Sequence, residues 1–493
     1  MVVIGAGFGG LAAALRLSAA GHRVTVLERA AEIGGKARTV EVAGRAIDAG
    51  PTVFTMRWVF EDLFRTAGLS LDDHVRLTPA RVLARHAWPD GSRLDLFADL
   101  EESAQAIGAF AGSAEAARYR DFAARTGRAY DLFRDSFIAA SRPNPISMLT
   151  RLGPAGTLGL LDARPAANMY AAIADMLQDD RLRQLFARYA TYCGSSPFRA
   201  PGTLMLIAHV ERLGVWQVAG GMKALAAAIG RAVEISGGAI RTGAEVERIE
   251  STRDRVSGVR LADGEVIEAD AVVFAGDVGA LGQGLLGPSA QRAVKPTQAR
   301  DRSLSALVFS AVARPRGFPL AYHTVFFGPD YRGEFDALAD GRLPRDPTTY
   351  VCALDRSGDH DAPAAGDERL HILVNAPAIG DIRALEQTEI ETCRSETEAL
   401  MAKAGLTLSL DPATTRITTP VEFHRRFPGT GGALYGAATH GPVASFRRAT
   451  SATRLAGLVL AGGSVHPGAG VPMATLSGAL AATLAERHLA RVG

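Results

Sequence analysis

The chain has 493 residues, 47% hydrophobic and 22% charged: enough apolar material for a buried core, and too little charge for a disordered polymer. Its 54 Lys and Arg against 52 Asp and Glu leave a net charge of +2, so no basic excess drives binding to a phosphate backbone, which points away from nucleic acid as a partner. Cys193, Cys352 and Cys393 stand far apart with no C-x-x-C pair, which argues against a disulfide framework, a zinc site or a thioredoxin-type centre.

Met1-Val2-Val3-Ile4 is a short apolar run, the form of a parallel strand buried on both faces. Gly5-Ala6-Gly7-Phe8-Gly9-Gly10 follows, then Leu11, Ala12, Leu15 and Leu17 at helical spacing up to Gly21, then the strand Val24-Thr25-Val26-Leu27. This is a complete β-α-β unit. A G-x-G-x-x-G motif means little alone, but between a strand and a helix it is a dinucleotide-binding turn, with Ala6 inside it. Gly5 permits the tight turn, Gly7 lets backbone approach a pyrophosphate, and Gly10 lets helix pack on strand, while the helix N-terminus aims its amides at the anion. Glu28 closes the second strand, where an acid accepts hydrogen bonds from ribose hydroxyls. In Glu32-Ile33-Gly34-Gly35-Lys36-Ala37-Arg38, paired glycines let the chain run close to a ligand whose phosphates Lys36 is expected to face.

Residues 56–217 read as a largely helical insertion, with helical patterns over 104–110 and 170–177 and breaks at Pro145, Gly153, Pro154 and Pro165. Over 237–274 the pattern changes to short alternating strands separated by turns such as Ala262-Asp263-Gly264, a small sheet returning to the nucleotide unit. Residues 286–449 include the apolar run 304–313 and mixed strands and loops. A last strand, Gly457-Leu458-Val459-Leu460-Ala461, leads through Gly462-Gly463-Ser464-Val465-His466-Pro467-Gly468-Ala469-Gly470-Val471-Pro472 into a helix predicted over 473–490. A flavin accepting a hydride gathers negative charge on its ring, and a helix N-terminus is a fixed partial positive charge that stabilises it. That placement moves the reading from nicotinamide to flavin. The expected fold class is α/β: a Rossmann-like FAD-binding domain in three pieces, 1–55, 218–285 and 450–493, with an inserted α+β substrate domain formed by 56–217 and 286–449. No stretch reaches the ~18 apolar residues of a spanning helix, and no signal-peptide pattern opens the chain.

These residues resemble the FAD-containing amine oxidase and phytoene desaturase superfamily over essentially the whole chain. Asp48-Ala49-Gly50-Pro51-Thr52-Val53-Phe54, Gly220-Gly221-Met222 and His466-Pro467-Gly468-Ala469-Gly470-Val471-Pro472 are similar to bacterial carotenoid desaturases rather than amine oxidases. Thr52-Val53-Phe54-Thr55-Met56-Arg57-Trp58-Val59-Phe60 resembles the 1-hydroxycarotenoid 3,4-desaturases of purple photosynthetic bacteria. The resemblance implies FAD lying along Gly35, Lys36, Thr52 and Val53, its adenine met by the Val246 backbone, its isoalloxazine bordered by Gly463, Gly470 and Val471. It implies removal of two hydrogens from adjacent carbons of a lipid-dissolved C40 carotenoid such as 1-hydroxyneurosporene or its 1-methoxy counterpart. An electron acceptor such as a quinone or oxygen is needed. A cytoplasmic location with peripheral contact to the inner face of the photosynthetic membrane also follows.

An apolar tunnel for such a substrate is expected among Met148, Leu149, 158–161 and 304–309. An allylic position stabilises the developing cation, so no catalytic side chain is assigned; His466 is expected to be satisfied by neighbouring backbone rather than to take a proton, and His209 and His440 are isolated. The alternatives are a phytoene desaturase or other carotenoid oxidase or isomerase, an amine or porphyrinogen oxidase, and a non-catalytic prenyl-lipid-binding protein. Gly5, Gly7, Gly10 and Glu28 together with the C-terminal loop weigh against the last.

Overall fold

The computed structural model describes residues 1–141, 144–159, 162, 164–356 and 366–491. The opening apolar run forms the strand Val2–Ile4 at the centre of a five-stranded parallel sheet, ordered Leu458–Leu460, Val272–Phe274, Val2–Ile4, Thr25–Glu28, Ala239–Thr242. Val2 lies opposite both Val272 and Thr25, and Val272 opposite Leu458, so strands from the start, middle and end of the chain share one register. Alternate residues serve two layers, as a pleated strand requires. Val3, Val26, Val273 and Val459 pack under helices, whereas Val2, Ile4, Leu27, Phe274 and Leu458 pack against a small antiparallel sheet. That small sheet is Val246–Thr252, Arg255–Leu261 and Val266–Glu268.

The helix Phe8–Ala19 is buried on nearly every face, which its Ala-rich sequence permits. It packs beside the last helix, Val471–Leu489, and the helix Gly221–Ile235. The first and last helices approach closely because glycine stands at their contact: a Cβ on Gly9 would lie 2.6 Å from the Gly462 nitrogen, and one on Gly478 would lie 2.3 Å from the Gly9 carbonyl oxygen. The last helix starts at Val471, two residues before the expected position, because Pro472 is preset for a first helical turn.

A second layer system is built on a seven-stranded sheet, ordered Thr415–Thr418, Ser305–Ala313, Glu368–Ala376, Thr349–Ala353, His323–Phe326, Val82–Ala87, Arg93–Phe97. One face, with Leu307, Phe309, Ile372, Val374 and Val351, buries Leu400 and Met401 of the helix Gln387–Lys403. On the other face, Val308, Leu373 and Tyr350 fall in one register row and look toward the site described below.

Two sequence expectations are corrected here. Residues 56–217 are not simply a helical insertion, because Val82–Ala87 and Arg93–Phe97 form a hairpin within the seven-stranded sheet. Buried Arg85 and His86 break the apolar pattern of the first strand and hide it, although Trp88-Pro89-Asp90-Gly91 carries turn chemistry. The strands over 237–274 are not all one small sheet either. Ala239–Thr242 and Val272–Phe274 are parallel strands of the five-stranded sheet itself.

Candidate active site

The N-termini of the first and last helices converge on one cavity of about 920 Å³. Gly5, Gly7, Gly35, Glu28, Lys36, Thr52, Val53, Val246, Gly463, Gly470 and Val471 all line it. Ala6 and Gly10 stand behind the lining. A Cβ on Gly10 would lie 2.0 Å from the Gly5 carbonyl oxygen, so this glycine serves helix-on-turn packing. Gly7 and Gly463 differ: no protein atom lies within 4 Å of a Cβ built on either, although both border the cavity. Their missing side chains leave room for a ligand rather than for another part of the chain, which fits a flat cofactor with a pyrophosphate.

Glu28 is buried, and each carboxylate oxygen accepts one amide: Oε2 from Ala6 at 2.8 Å and Oε1 from Ala30 at 2.9 Å. It thereby fixes the glycine turn while still facing the cavity. The Lys36 Nζ, expected to face phosphates, donates to the Leu434 carbonyl and lies 5.2 Å from the Phe427 ring centroid. Burial lowers its pKa, and the nearby Asp277 opposes that shift. The Asp48 and Gly220-Gly221-Met222 motifs meet in one joint: Asp48 Oδ2 accepts the Met222 amide at 2.9 Å, and a Cβ on Gly221 would lie 1.7 Å from that oxygen. Asp48 is buried there, which pushes its pKa up to about 6. The joint anchors the strand that delivers Ala49, Gly50, Pro51, Thr52 and Val53 to the cavity wall.

The cavity continues into an apolar limb past Phe133, Phe137, Met148, Leu206, Leu304 and Val308. Met148, Leu304 and Val308 therefore fall on the expected tunnel. Leu149 is 41% exposed and Phe309 lies in the core behind the sheet; Leu160 and Leu161, with the Leu158 side chain, lie outside the described residues.

Polar residues that the sequence reading missed also line the cavity: Arg188, Tyr192, Glu211, Tyr350, Asn375 and Arg448. Arg448 is buried and donates to the carbonyls of Tyr435, Ala437 and Gly463 at 2.9–3.0 Å, tying the C-terminal glycine loop to the segment 435–437. Tyr350 Oη lies 2.6 Å from both Thr52 Oγ1 and His323 Nδ1. A signal did exist for two of them, because Arg188 and Glu211 interrupt apolar helical runs, and a charge there must have a buried partner.

His209, His440 and His466 are not among the residues that line the cavity, whereas His371 is. The His466 ring faces the backbone of Phe137 and Ala140 and meets the Phe137 ring edge-on at 4.9 Å. Burial pushes its pKa down to about 4, so it is neutral near pH 7. His440 accepts the Ser196 amide at 3.1 Å, and His209 Nδ1 lies 2.9 Å from the Arg212 guanidinium.

Residues 8–485 match the family described as flavin containing amine oxidoreductase. The chain belongs to this family. It is an FAD-dependent oxidoreductase, and FAD is its cofactor. It is 51% identical to a hydroxyneurosporene desaturase of Rubrivivax gelatinosus over 99% of this chain and 93% of that one. It is 45% identical to a hydroxyneurosporene desaturase of Rhodobacter capsulatus over 99% of this chain and 98% of the other. The crystal structure of an oxidoreductase from Methanosarcina mazei superposes with a TM-score of 0.59 at 17% identity, covering 97% of this chain and 98% of that one, which shows the shared fold.

Proposed function

We infer that this flavoenzyme is a carotenoid desaturase that introduces the C-3,4 double bond into 1-hydroxy carotenoids such as 1-hydroxyneurosporene. The observation that carries the reading is one cavity joining two helix N-termini to an apolar limb, in a chain about half identical to a hydroxyneurosporene desaturase. Residues 1–55, 218–285 and 450–493 would hold the cofactor, and 56–217 with 286–449 would supply the substrate wall. Within the first group, Gly5, Ala6, Gly7 and Gly10 shape the turn at the pyrophosphate, and Glu28 has oxygen lone pairs left for the ribose. Gly35, Lys36, Thr52 and Val53 would follow the cofactor, Val246 would meet its adenine, and Gly463, Gly470 and Val471 would border its ring.

Bound FAD supplies a two-electron acceptor for the hydride that leaves an allylic carbon, the neighbouring carbon losing a proton. The chain provides the environment for that step. The N-terminus of the helix Val471–Leu489 puts partial positive charge at the ring, and Arg448 holds the glycine loop in place through Gly463. Phe133, Phe137, Leu206 and Val308 exclude water, so that field acts at low dielectric. No side chain is assigned as a base. An electron acceptor, a quinone, oxygen or another carrier, completes the cycle.

Among the described residues no helix is long and apolar enough to cross a membrane. The substrate would instead enter from a membrane surface at Trp58, Ile146 and Leu149, which are 41%, 75% and 41% exposed; Ile146 and Leu149 flank, in sequence, Met148, a residue of the apolar limb. The function is tested by incubating protein, FAD and an acceptor with liposomes carrying either 1-hydroxyneurosporene or phytoene. Loss of two hydrogens and a red-shifted spectrum only with the hydroxylated carotenoid supports the reading. Turnover of phytoene instead places the enzyme among the early desaturases, and no product from either, with flavin bound, overturns the carotenoid assignment.

A further inference from the structure

We propose that the buried cluster of Arg188, Tyr192 and Glu211 seats the hydroxyl oxygen of the carotenoid end group and so selects oxygenated over plain carotenoids. This deepens the desaturase reading and rests on it. Arg188 is 5% exposed and borders the cavity, as do Tyr192 and Glu211. Of the five N–H groups of a guanidinium, Arg188 uses one among the described residues, from Nη2 to Tyr192 Oη at 3.2 Å, and its Nε is buried with no partner among them. Nothing about folding alone calls for that. An arginine buried in a greasy cavity with spare donors is costly unless something accepts from it.

The cluster also indicates what kind of acceptor. The Glu211 carboxylate accepts from Tyr192 Oη at 2.9 Å and from Tyr189 Oη, and that phenol layer links it to the guanidinium, which lies 5.4 and 5.0 Å from the Tyr189 and Tyr192 rings. Glu211 balances the Arg188 cation through this layer, and the buried Glu334 lines the same side cavity as Arg188, so a further anion would be unpaired. A neutral oxygen fits: an alcohol or an ether on an otherwise apolar molecule.

Location supports the same ligand. Arg188 and Tyr350 line one small side cavity of about 40 Å³, and Tyr350 Oη lies 2.6 Å from Thr52 Oγ1, in the segment read as following the flavin. The cluster is therefore linked through Tyr350 to the segment read as following the cofactor. An oxygen on C-1 lies roughly 3–5 Å from C-3 and C-4 by ordinary bond lengths. Seating it on Arg188 would hold those two carbons near the flavin and make the hydroxyl a positioning handle.

The test compares kcat/KM for 1-hydroxyneurosporene with that for the same carotenoid lacking the hydroxyl, in liposomes. It uses wild type, Arg188→Leu, Arg188→Lys and Tyr192→Phe, each first checked for bound FAD. Wild type should favour the hydroxylated substrate. In Arg188→Leu that preference should shrink about 10–100-fold, the range carried by one charge-assisted hydrogen bond. Arg188→Lys should restore part of it, and the change should fall in kcat as well as KM because positioning is lost. If Arg188→Leu fails to hold FAD, Tyr192→Phe decides, since it removes the hydroxyl that links Arg188 to Glu211 and keeps the ring. A preference unchanged in every variant that holds FAD, or a wild type that turns over both substrates equally, overturns the proposal and leaves the desaturase reading intact. Absence of turnover of either carotenoid by wild type overturns the desaturase reading itself.

Discussion

The two glycines Gly7 and Gly10 sit three residues apart in one motif, yet the structure gives them opposite jobs, and alanine at each separates those jobs. Gly7 has φ −77° and ψ 177°, which any L-residue adopts, and its added methyl would meet no protein atom within 4 Å. Alanine there narrows the unfolded ensemble, a gain of about 0.4–1 kcal/mol, and is a poorer helix cap than glycine by a similar amount, so the apoprotein should change by less than about 1 kcal/mol. The methyl instead enters the space read as holding the pyrophosphate. Overpacking of about 1–3 kcal/mol corresponds to FAD binding weaker by roughly 5–150-fold. Gly10→Ala reverses the pattern, because its methyl would lie 2.0 Å from the Gly5 oxygen and 3.0 Å from the Ala275 Cβ. The helix must lift off the turn, and the apoprotein should lose at least about 1–3 kcal/mol. Equilibrium denaturation of flavin-free protein and titration with FAD, followed by flavin fluorescence, measure both quantities. A Gly7→Ala protein that binds FAD like wild type, or a Gly10→Ala apoprotein as stable as wild type, would refute the reasoning.

Three further outcomes are expected. Burial holds the pKa of His323 at about 3 and those of His371, His440 and His466 at about 4. The unfolded chain therefore binds more protons than the folded one below about pH 6.5, and stability should fall as pH drops from there to about 4; a flat unfolding titration would contradict their burial as neutral rings. Asp48, raised to about 6, works the other way by taking up a proton in the folded state first, so Asp48→Asn should steepen the acid loss between about pH 6 and 4 in the same titration. Arg356 and Glu368 form a bidentate pair at 2.8 Å with 4% and 1% side-chain exposure, so Arg356→Leu should cost about 3–5 kcal/mol by denaturation, and adding Glu368→Leu should recover much of it.

The parallel sheet and the two helix N-termini were legible because their signals are local: an apolar run, a glycine turn, and a glycine-rich loop before a helix. The seven-stranded sheet was only half legible. Its strand Ser305–Ala313 is apolar throughout, whereas Val82–Ala87 buries Arg85 and His86, whose partners lie across the fold. Gly5, Gly7, Gly35, Gly463, Gly470 and Glu28 line one cavity for the same local reason, whereas Gly10 packs behind it. Arg188, Glu211, Tyr350 and Arg448 are spread over some 260 residues, and only the folded chain shows that they share a wall. Lys36 lines the cavity, and its bond to the Leu434 carbonyl is a contact no local pattern could reveal.

The central claim is that this cavity removes hydrogens from C-3 and C-4 of a hydroxylated carotenoid. The most direct measurement supplies 1-hydroxyneurosporene carrying deuterium at both carbons, in liposomes with FAD-loaded protein and an acceptor, and determines the mass of the product. One deuterium should be lost from each carbon. A product desaturated elsewhere with all its label retained, or no product from protein that holds its flavin, would contradict it.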